Sequence, residues 1–290
     1  MNMEQAVTYL VDERNVAFVT LNRAEKHNAF DDEMIGELTR IFRQAGEDSQ
    51  VRAVVLQAKG KSFSAGADLN WMKRMASYTQ QQNEADAMAL ATMLQTLYSL
   101  PKPTIARVQG AAFGGAVGLI ACCDIAIGSK LSKFCLSEVR IGLIPATISP
   151  YVIEAMGSRV CRRYFQTAEV FSARRARRLG LLSEAVTESE LDSTIDDIIA
   201  NIVKNGPQAV AQAKALVQWV SSQPIDDNLL HQTSQRIAQV RTSQEGQEGL
   251  SAFLEKRSAA WVEKASSEKD ASSEKQHHSG KKTSSGEKHK

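Results

Sequence analysis

The stretch GAAFGGAVGLIACCDIA, residues 110–126, combines four glycines with a single charged side chain, Asp124. Glycines that precede a helix let the main chain approach a ligand closely and point free N–H groups at it, and the helix dipole adds positive potential there. The same glycines are also compatible with tight helix packing alone. The stretch therefore indicates either a backbone anion site or a closely packed helix.

The glycine spacing does not match the known phosphate-binding motifs. A dinucleotide fingerprint requires G-x-G-x-x-G and an acidic residue about 20 positions later. Here the glycines stand at 110, 114, 115 and 118, and Asp124 follows too early. No G-K-[ST] follows the stretch, and the motifs G-x-S-x-G and H-E-x-x-H are absent from the sequence. Backbone N–H chemistry remains as the functional interpretation of these glycines.

Composition and charge are those of an ordinary globular protein. Of the 290 residues, 43% are hydrophobic and 23% are charged, and the formal net charge is +2. Removing the six lysines and four acidic residues of segment 265–290 from the totals of 35 and 33 leaves 29 side chains of each sign. A body without net charge offers no general basis for binding nucleic acid, so we expect no such partner.

Cysteine usage and apolar runs bear on the cellular compartment. The four cysteines lie within 40 residues, without a C-x-x-C pair or a histidine-rich partner: Cys122, Cys123, Cys135 and Cys161. This pattern favours buried free thiols over a disulfide framework or a zinc site, and we expect no metal. The longest uncharged apolar run, residues 110–123, has 14 residues, whereas a bilayer crossing needs ~18 or more. We expect a soluble cytoplasmic protein without a membrane partner.

Strand and helix patterns alternate along the first part of the chain. Two strands are predicted within 7–21 around a turn at 12–15, and apolar residues at helical spacing predict a helix over 31–45. The next predicted elements are a strand within 51–60, a helix over 80–100 and a strand over 103–108. This repetition predicts an α/β fold with layered ββα units.

The last third of the chain has a different character. Three helices are predicted there, over 207–219, 226–240 and 244–261. Segment 265–290 contains the near-repeat ASSEKDASSEK and no large apolar side chain, so we expect it to be disordered. The predicted division is an α/β core at 1–205, a helical region at 206–264 and a polar tail at 265–290.

A second stretch, KGKSFSAGADLNWMKRM at 59–75, has the same small-residue character. Together the two stretches resemble the paired signatures of the crotonase (enoyl-CoA hydratase/isomerase) superfamily. Further landmarks follow in the family's order: VTLNRAEKHNAF at 19–30, SEVRIGLIPA at 137–146, SARRARRLGLLSEAV at 172–186 and EGLSAFLEKRSAAW at 248–261. The resemblance implies a crotonase (ClpP/crotonase-like) fold with a C-terminal helical extension that serves trimerisation.

The resemblance also implies a substrate and an oxyanion hole. Family members bind acyl-coenzyme A thioesters and stabilise an enolate-like intermediate with two backbone N–H groups, which by motif position belong to Ala67 and Gly115. One such donor is worth ~3 kcal/mol in other enzymes. No cofactor is implied besides the coenzyme A that the substrate carries, and the expected assembly is a homotrimer or a hexamer (dimer of trimers).

By the same resemblance, six positions map onto the family's coenzyme A contacts: Lys26, Ala65, Asp68, Leu69, Phe253 and Lys256. The two lysines would face phosphates as point charges. Phe253 and Lys256 would reach the nucleotide end of the ligand, often from a neighbouring subunit. Without the family context, both lysines would be read as ordinary surface residues.

The acid/base residues depart from the family's two-glutamate pattern. Two-glutamate hydratases carry one glutamate three residues after the oxyanion glycine, where this chain has Gly118, and a second that corresponds to Glu138. A carboxyl group near an apolar pocket can have a raised pKa and act as acid or base. The alternative for Glu138 is a structural ion pair with Arg140.

This departure leaves the reaction open between two types. Loss of the first glutamate is typical of the family's enoyl-CoA isomerases, which shift a double bond. Against this, the stretches GAAFGGAVGLIACCDIA, ADLNWMKRM and SEVRIGLIPATISPYV together most resemble bacterial methylglutaconyl-CoA hydratases of leucine breakdown and their relatives in acyclic terpene degradation. We therefore expect an enoyl-CoA hydratase acting on 3-methylglutaconyl-CoA, with an isomerase as the alternative and a non-catalytic CoA- or RNA-binding protein as the third.

Three further features have two interpretations each. Arg140 is a candidate partner for a second substrate carboxylate, because an unpaired buried charge is costly. Trp71, Met72 and Met75 either line the acyl pocket or pack in the core. The arginines of segment 174–178 indicate either polyanion binding or a solvated helix face.

Overall fold

The computed structural model describes residues 5–262. These residues belong to two compact units, the first ending at Ile202 and the second beginning at Val203. The tail expected at 265–290 lies outside the described residues, and the predicted three-part division stays a prediction. None of the described helices combines the length and the apolar character that a bilayer crossing requires.

The described residues form nine strands: β1 (Val7–Val11), β2 (Val16–Leu21), β3 (Ala53–Ala58), β4 (Thr104–Val108), β5 (Ala111–Phe113), β6 (Ile125–Ser129), β7 (Lys133–Cys135), β8 (Phe171–Ser172) and β9 (Glu184–Val186). The helices of the first unit are α1 (Asp32–Glu47), α2 (Leu69–Met75), α3 (Gln80–Tyr98), α4 (Gly115–Cys122), α5 (Ser149–Met156), α6 (Ser158–Thr167), α7 (Ala173–Arg178) and α8 (Leu191–Val203). Val203, the last residue of α8, is also the first residue of the second unit. Those of the second unit are α9 (Pro207–Val220), α10 (Asp227–Thr242) and α11 (Gln244–Glu255).

A six-stranded sheet forms the centre of the first unit, with the strand order β1-β2-β3-β4-β6-β9. The β1–β2 pair is an antiparallel hairpin, and every later pair is parallel. Parallel neighbours need crossover connections, which α1 supplies between β2 and β3. Because helices cover such a sheet, its inner strands are mostly apolar, as in AVVLQA of β3, where Gln57 is the one polar residue.

A smaller sheet, β5-β7-β8, lies beside the segments that the sequence marks as functional. β5 pairs in parallel with β7, and β7 pairs antiparallel with β8. Since β5 leads directly into α4, this sheet fixes the position of the glycine-rich turn between them. The predicted α/β architecture with a helical C-terminal region is confirmed.

Helix α1 shows why the sequence pattern was informative. Asp31 caps its N-terminus by accepting a hydrogen bond of 2.9 Å from the Met34 N–H. Its apolar residues all lie on the buried face: Met34, Ile35, Leu38, Ile41, Phe42 and Ala45. The helix predicted over 31–45 is therefore confirmed, with its end at Glu47.

The prediction of a third C-terminal helix reaching residue 261 is wrong. Helix α11 ends at Glu255 because Lys256 adopts a left-handed conformation, with φ of 56°. The N–H of Arg257 then donates to the Ala252 carbonyl at 3.0 Å and closes the helix end. A lysine does not indicate a left-handed conformation from its residue type. The apolar periodicity therefore predicted a helix that extends beyond Glu255.

The cysteines partly follow the expectation. None of the four forms a disulfide bond within the described residues, and three of them are buried. Cys123 is only half-buried, since it follows the last residue of α4. The expected burial is therefore wrong for this residue.

Candidate active site

Ala67 is placed by a short parallel bridge with Phe30. Phe30 makes both hydrogen bonds of this bridge, donating to the Gly66 carbonyl and accepting from the Asp68 N–H, each at 2.7 Å. This pattern turns the N–H of the intervening residue, Ala67, to the opposite side of the strand. Among the described residues, the Ala67 N–H has no hydrogen-bond acceptor.

Gly115 is the first residue of α4, where backbone N–H groups have no intrahelical acceptor. Gly114 before it has φ of 55°, a conformation that favours glycine, and its N–H donates to the Cys135 carbonyl at 2.8 Å. Throughout the described part of the chain, the Gly115 N–H finds no acceptor either. Both predicted oxyanion donors are thus free N–H groups.

The two glycine-bearing stretches touch each other. A Cβ on Gly66 would lie 3.0 Å from the Phe113 carbonyl oxygen, so only glycine permits this approach. The Phe113 N–H donates to the Ser64 carbonyl at 3.0 Å and fixes the register between the stretches. The structure therefore brings the segments of Ala67 and Gly115 together, as the resemblance implied.

Glu138 opens a 3₁₀ helix, Glu138–Ile141, that follows β7. Its Oε1 lies 3.4 Å from the position that a Cβ on Gly114 would take, which places the carboxyl group against the turn that precedes Gly115. Its Oε2 is buried and has no hydrogen-bond partner among the described residues. Burial raises the pKa of Glu138, although a hydrogen bond from its own backbone opposes the rise.

The arrangement of Arg140 bears on the ion pair that was the alternative role for Glu138. Glu138 and Arg140 both stand on the 3₁₀ helix Glu138–Ile141. No ion pair joins them within the described residues, because Arg140 Nη2 donates instead to the Ala168 carbonyl at 2.6 Å. The structural ion pair offered as the alternative for Glu138 is therefore absent.

The position of the missing first glutamate is filled by another side chain. A Cβ on Gly118 would lie 2.3 Å from Ile148 Cγ2 and 3.6 Å from Leu94 Cδ2. Ile148 is buried, and nothing in the sequence pointed to it. The packing of Ile148 therefore leaves no space for a side chain at position 118.

Lys26 and Asp68, two predicted coenzyme A contacts, lie close to each other. Lys26 Nζ is 3.6 Å from Asp68 Oδ2. The Asp68 carboxylate also caps α2, accepting from the Asn70 N–H at 2.8 Å and from the Trp71 N–H at 3.2 Å. Burial alone would raise the pKa of Asp68, but these two N–H donors and Lys26 together lower it. An aspartate before a helical stretch was a readable cap signal that the sequence analysis missed.

The other predicted coenzyme A contacts divide between the two units. The Ala65 N–H donates to the carbonyl of His27, the residue after Lys26, at 2.9 Å. Leu69 begins α2 with 73% of its surface exposed, as an apolar contact for a ligand would be. Phe253, 80% exposed, and Lys256 belong to the second unit, and their predicted roles stay predictions.

The remaining sequence features lie in the core or on the surface. Trp71 is buried in the hydrophobic core and donates to Asp86 Oδ1 at 3.1 Å, and Met75 packs against the same core. These contacts favour the core-packing interpretation. In α7 the arginines are exposed whereas Ala173 and Ala176 are buried, which is typical of a solvated helix face. No group of three or more potential metal-ligating side chains occurs in residues 5–262.

Comparisons with known proteins confirm the predicted crotonase fold. The protein family described as enoyl-CoA hydratase/isomerase matches residues 12–264. The short-chain-enoyl-CoA hydratase of Clostridium acetobutylicum is 32% identical over 257 residues, which cover 88% of this chain and 97% of the relative. The crotonyl-CoA hydratase of Syntrophomonas wolfei is 28% identical, covering 88% of this chain and 97% of its own. The crystal structure of an enoyl-CoA hydratase from Shewanella pealeana shares 47% identity and a TM-score of 0.86, covering 89% of this chain and 96% of that one.

Proposed function

The chain belongs to the enoyl-CoA hydratase/isomerase family, and from this premise we propose that it adds water across the α,β double bond of an enoyl-CoA thioester. One observation carries the proposal. The Glu138 carboxyl group lies against the Gly114 turn, with its buried Oε2 unpartnered among the described residues. A buried carboxyl group beside free backbone N–H donors has the components that proton transfer next to an enolate requires.

The thioester carbonyl oxygen is the group that the backbone donors would hold. As water adds to the β-carbon, this oxygen gains negative charge, and preorganised N–H groups stabilise that charge more than the neutral ground state. The free N–H groups of Ala67 and Gly115 suit this role because no protein acceptor competes for them in residues 5–262.

Glu138 would carry out both proton transfers. As a carboxylate it takes a proton from the attacking water while the oxygen bonds to the β-carbon. The carboxylic acid so formed returns a proton to the α-carbon as the enolate collapses, and the carboxylate is restored. The raised pKa of Glu138 brings it closer to the operating pH, which favours a group that must alternate between the two forms.

The acyl group that we propose is 3-methylglutaconyl, which would place the reaction in leucine breakdown or in a related terpene pathway. The support is the similarity of the stretches at 110–126, 67–75 and 137–152 to bacterial methylglutaconyl-CoA hydratases. No cofactor is needed, since coenzyme A is part of the substrate. We further propose a cytoplasmic enzyme.

A homotrimer or a hexamer is proposed for the assembly. The second unit carries large apolar side chains that are strongly exposed in the single chain: Val217, Ile225, Phe253 and Leu254. Apolar surface of this kind is commonly covered by a partner. Analytical ultracentrifugation of the purified protein tests this point.

Gly118 favours one second candidate, an enoyl-CoA isomerase, because a double-bond shift needs no positioned water. The two reactions differ in product mass. We would incubate the protein with 3-methylglutaconyl-CoA and, separately, with a 3-enoyl-CoA, using Glu138→Gln as the control. A gain of one water on the first substrate supports the hydratase, whereas a shifted double bond at unchanged mass on the second would replace it with the isomerase.

A further inference from the structure

The carbonyl oxygen of Ala168 receives two side-chain donors from the segment that carries Glu138. Arg140 Nη2 donates to it at 2.6 Å, and Cys135 Sγ at 3.2 Å. Ala168 is buried and ends α6 in a left-handed conformation, with φ of 47°. Because the helix stops there, the Ala168 carbonyl is available to groups outside the helix.

These contacts hold the segment on both sides of Glu138. On its N-terminal side, the Cys135 carbonyl accepts from the Gly114 N–H at 2.8 Å, in addition to the thiol contact. On its C-terminal side, the guanidinium of Arg140 reaches the same Ala168 carbonyl. Glu138 therefore lies between two residues, Cys135 and Arg140, whose side chains both donate to the Ala168 carbonyl oxygen.

The contact of Arg140 is with a neutral carbonyl, and not with a carboxylate of the protein. A charged donor strengthens and shortens such a hydrogen bond, in agreement with the distance of 2.6 Å. No hydrogen bond or ion pair joins Arg140 to the Glu138 carboxyl group within residues 5–262, so the direct link between the two residues is the backbone of the 3₁₀ helix.

We infer that Arg140 is a positioning residue, which ties the 3₁₀ helix to the Ala168 carbonyl and thereby holds the Glu138 carboxyl group against the Gly114 turn. This inference rests on the proposed function of Glu138 as the acid/base group. It replaces the interpretation of Arg140 as the partner of a substrate carboxylate.

The kinetic experiment compares two substrates and three variants. Arg140→Gln removes the charge and shortens the donor, and Arg140→Lys keeps the charge without the guanidinium fork. Arg40→Gln is the matched control, because Arg40 pairs with Glu37 at 2.7 Å on the exposed surface of α1. Each variant is assayed with 3-methylglutaconyl-CoA, which has a second carboxylate, and with crotonyl-CoA, which has none. Thermal unfolding of each variant verifies the fold.

For a positioning role, Arg140→Gln lowers kcat about 10- to 100-fold on both substrates, since displacement of a catalytic group by about 1 Å has such an effect. KM changes little on either substrate, Arg140→Lys recovers part of kcat, and the control keeps wild-type values. If KM rises for 3-methylglutaconyl-CoA alone, Arg140 binds the substrate carboxylate and the inference is overturned. Unchanged kinetics on both substrates overturn it as well.

A second readout does not depend on turnover. Carbon-13 NMR of labelled glutamate side chains gives the pKa of Glu138, whose signal is identified by its loss in Glu138→Gln. Cys135 is the other titratable group of this segment, and its pKa is raised by burial. In Arg140→Gln we expect the pKa of Glu138 to fall toward its ordinary value as the carboxyl group gains water; an unchanged pKa contradicts the inference. If the wild type hydrates neither substrate, the proposed function fails, and this titration still decides the role of Arg140.

Discussion

Gly118 packs directly against Ile148, whose Cγ2 lies 2.3 Å from the position that a Cβ on Gly118 would occupy. The chain has glycine where a two-glutamate hydratase has its first glutamate. Ile148 also occupies the space that a side chain at this position would need. The chemistry of this site has to be organised around one carboxyl group.

Gly118→Glu is accordingly expected to lose stability without gaining activity. Overpacking a buried position costs about 1–3 kcal/mol, and this Cβ alone already overlaps Ile148. Urea denaturation and the kcat for crotonyl-CoA measure the two effects. Gly36→Ala is the matched control, because a Cβ on Gly36 in α1 meets no atom within 4 Å. It should raise stability by up to about 1 kcal/mol.

The opposite result would be informative about Ile148. A Gly118→Glu variant with wild-type stability and a higher kcat would mean that Ile148 moves aside easily. The single-carboxyl character of the site would then depend on residue 118 alone.

Gly66→Ala is expected to impair catalysis more than stability. The substitution forces a Cβ to 3.0 Å from the Phe113 carbonyl at a residue with φ of 95°, so the neighbouring Ala67 N–H is displaced. Misplacing one oxyanion donor lowers kcat by about 10²- to 10³-fold. Steady-state kinetics and thermal unfolding measure both effects.

Gly157→Ala separates backbone strain from the close contact. Gly157 has φ of 80°, but a Cβ there meets no atom within 4 Å. Because its ψ of 149° places it outside the left-handed α region, in a conformation that only glycine adopts readily, the variant should lose about 1–3 kcal/mol of stability and keep its kcat. Equal kinetic losses in the Gly66 and Gly157 variants would argue against a specific role for the Gly66 contact.

The candidate site divides into parts that the sequence could and could not predict. Ala67, Gly115 and Glu138 were identified because their motifs are local and ordered along the chain. The packing of Ile148 on Gly118 and the Ala168 carbonyl that receives Arg140 join residues far apart in sequence, and hydrophobic periodicity carries no information about such contacts.

The fold shows the same division. Helix α1 was predictable because its cap and its apolar face lie within one stretch. The end of α11 was not, since it depends on a left-handed lysine, Lys256, whose residue type gives no stop signal.

Asp68 has two functions that substitution can separate. Asp68→Ala removes both the cap of α2 and the partner of Lys26, and loss of an N-cap costs about 1 kcal/mol. Asp68→Asn keeps a cap acceptor but loses the charge, so we expect near wild-type stability at neutral pH. Urea unfolding measures stability, and calorimetry of coenzyme A binding tests whether the freed Lys26 changes affinity. Equal destabilisation in both variants would show that the charge matters more than the cap.

Burial of the Glu138 carboxyl group predicts a specific pH dependence of stability. Since burial raises its pKa in the folded state, the folded protein binds the proton more tightly than the unfolded chain. Glu138 therefore stabilises the fold less as pH rises through its unfolded pKa, of about 4.3, toward its folded pKa.

Glu138→Gln removes this penalty and is expected to be more stable than the wild type at pH 7 to 8, a range set about 3 units above the unfolded pKa. Below about pH 3 the difference should become constant, because both states then carry a neutral carboxyl group. Thermal unfolding of both proteins between these limits measures the difference, and the Arg40→Gln variant controls for general charge effects. A Glu138→Gln variant that is less stable at neutral pH would mean that the ionised carboxylate has stabilising partners in the folded protein, and the raised pKa of Glu138 would have to be abandoned.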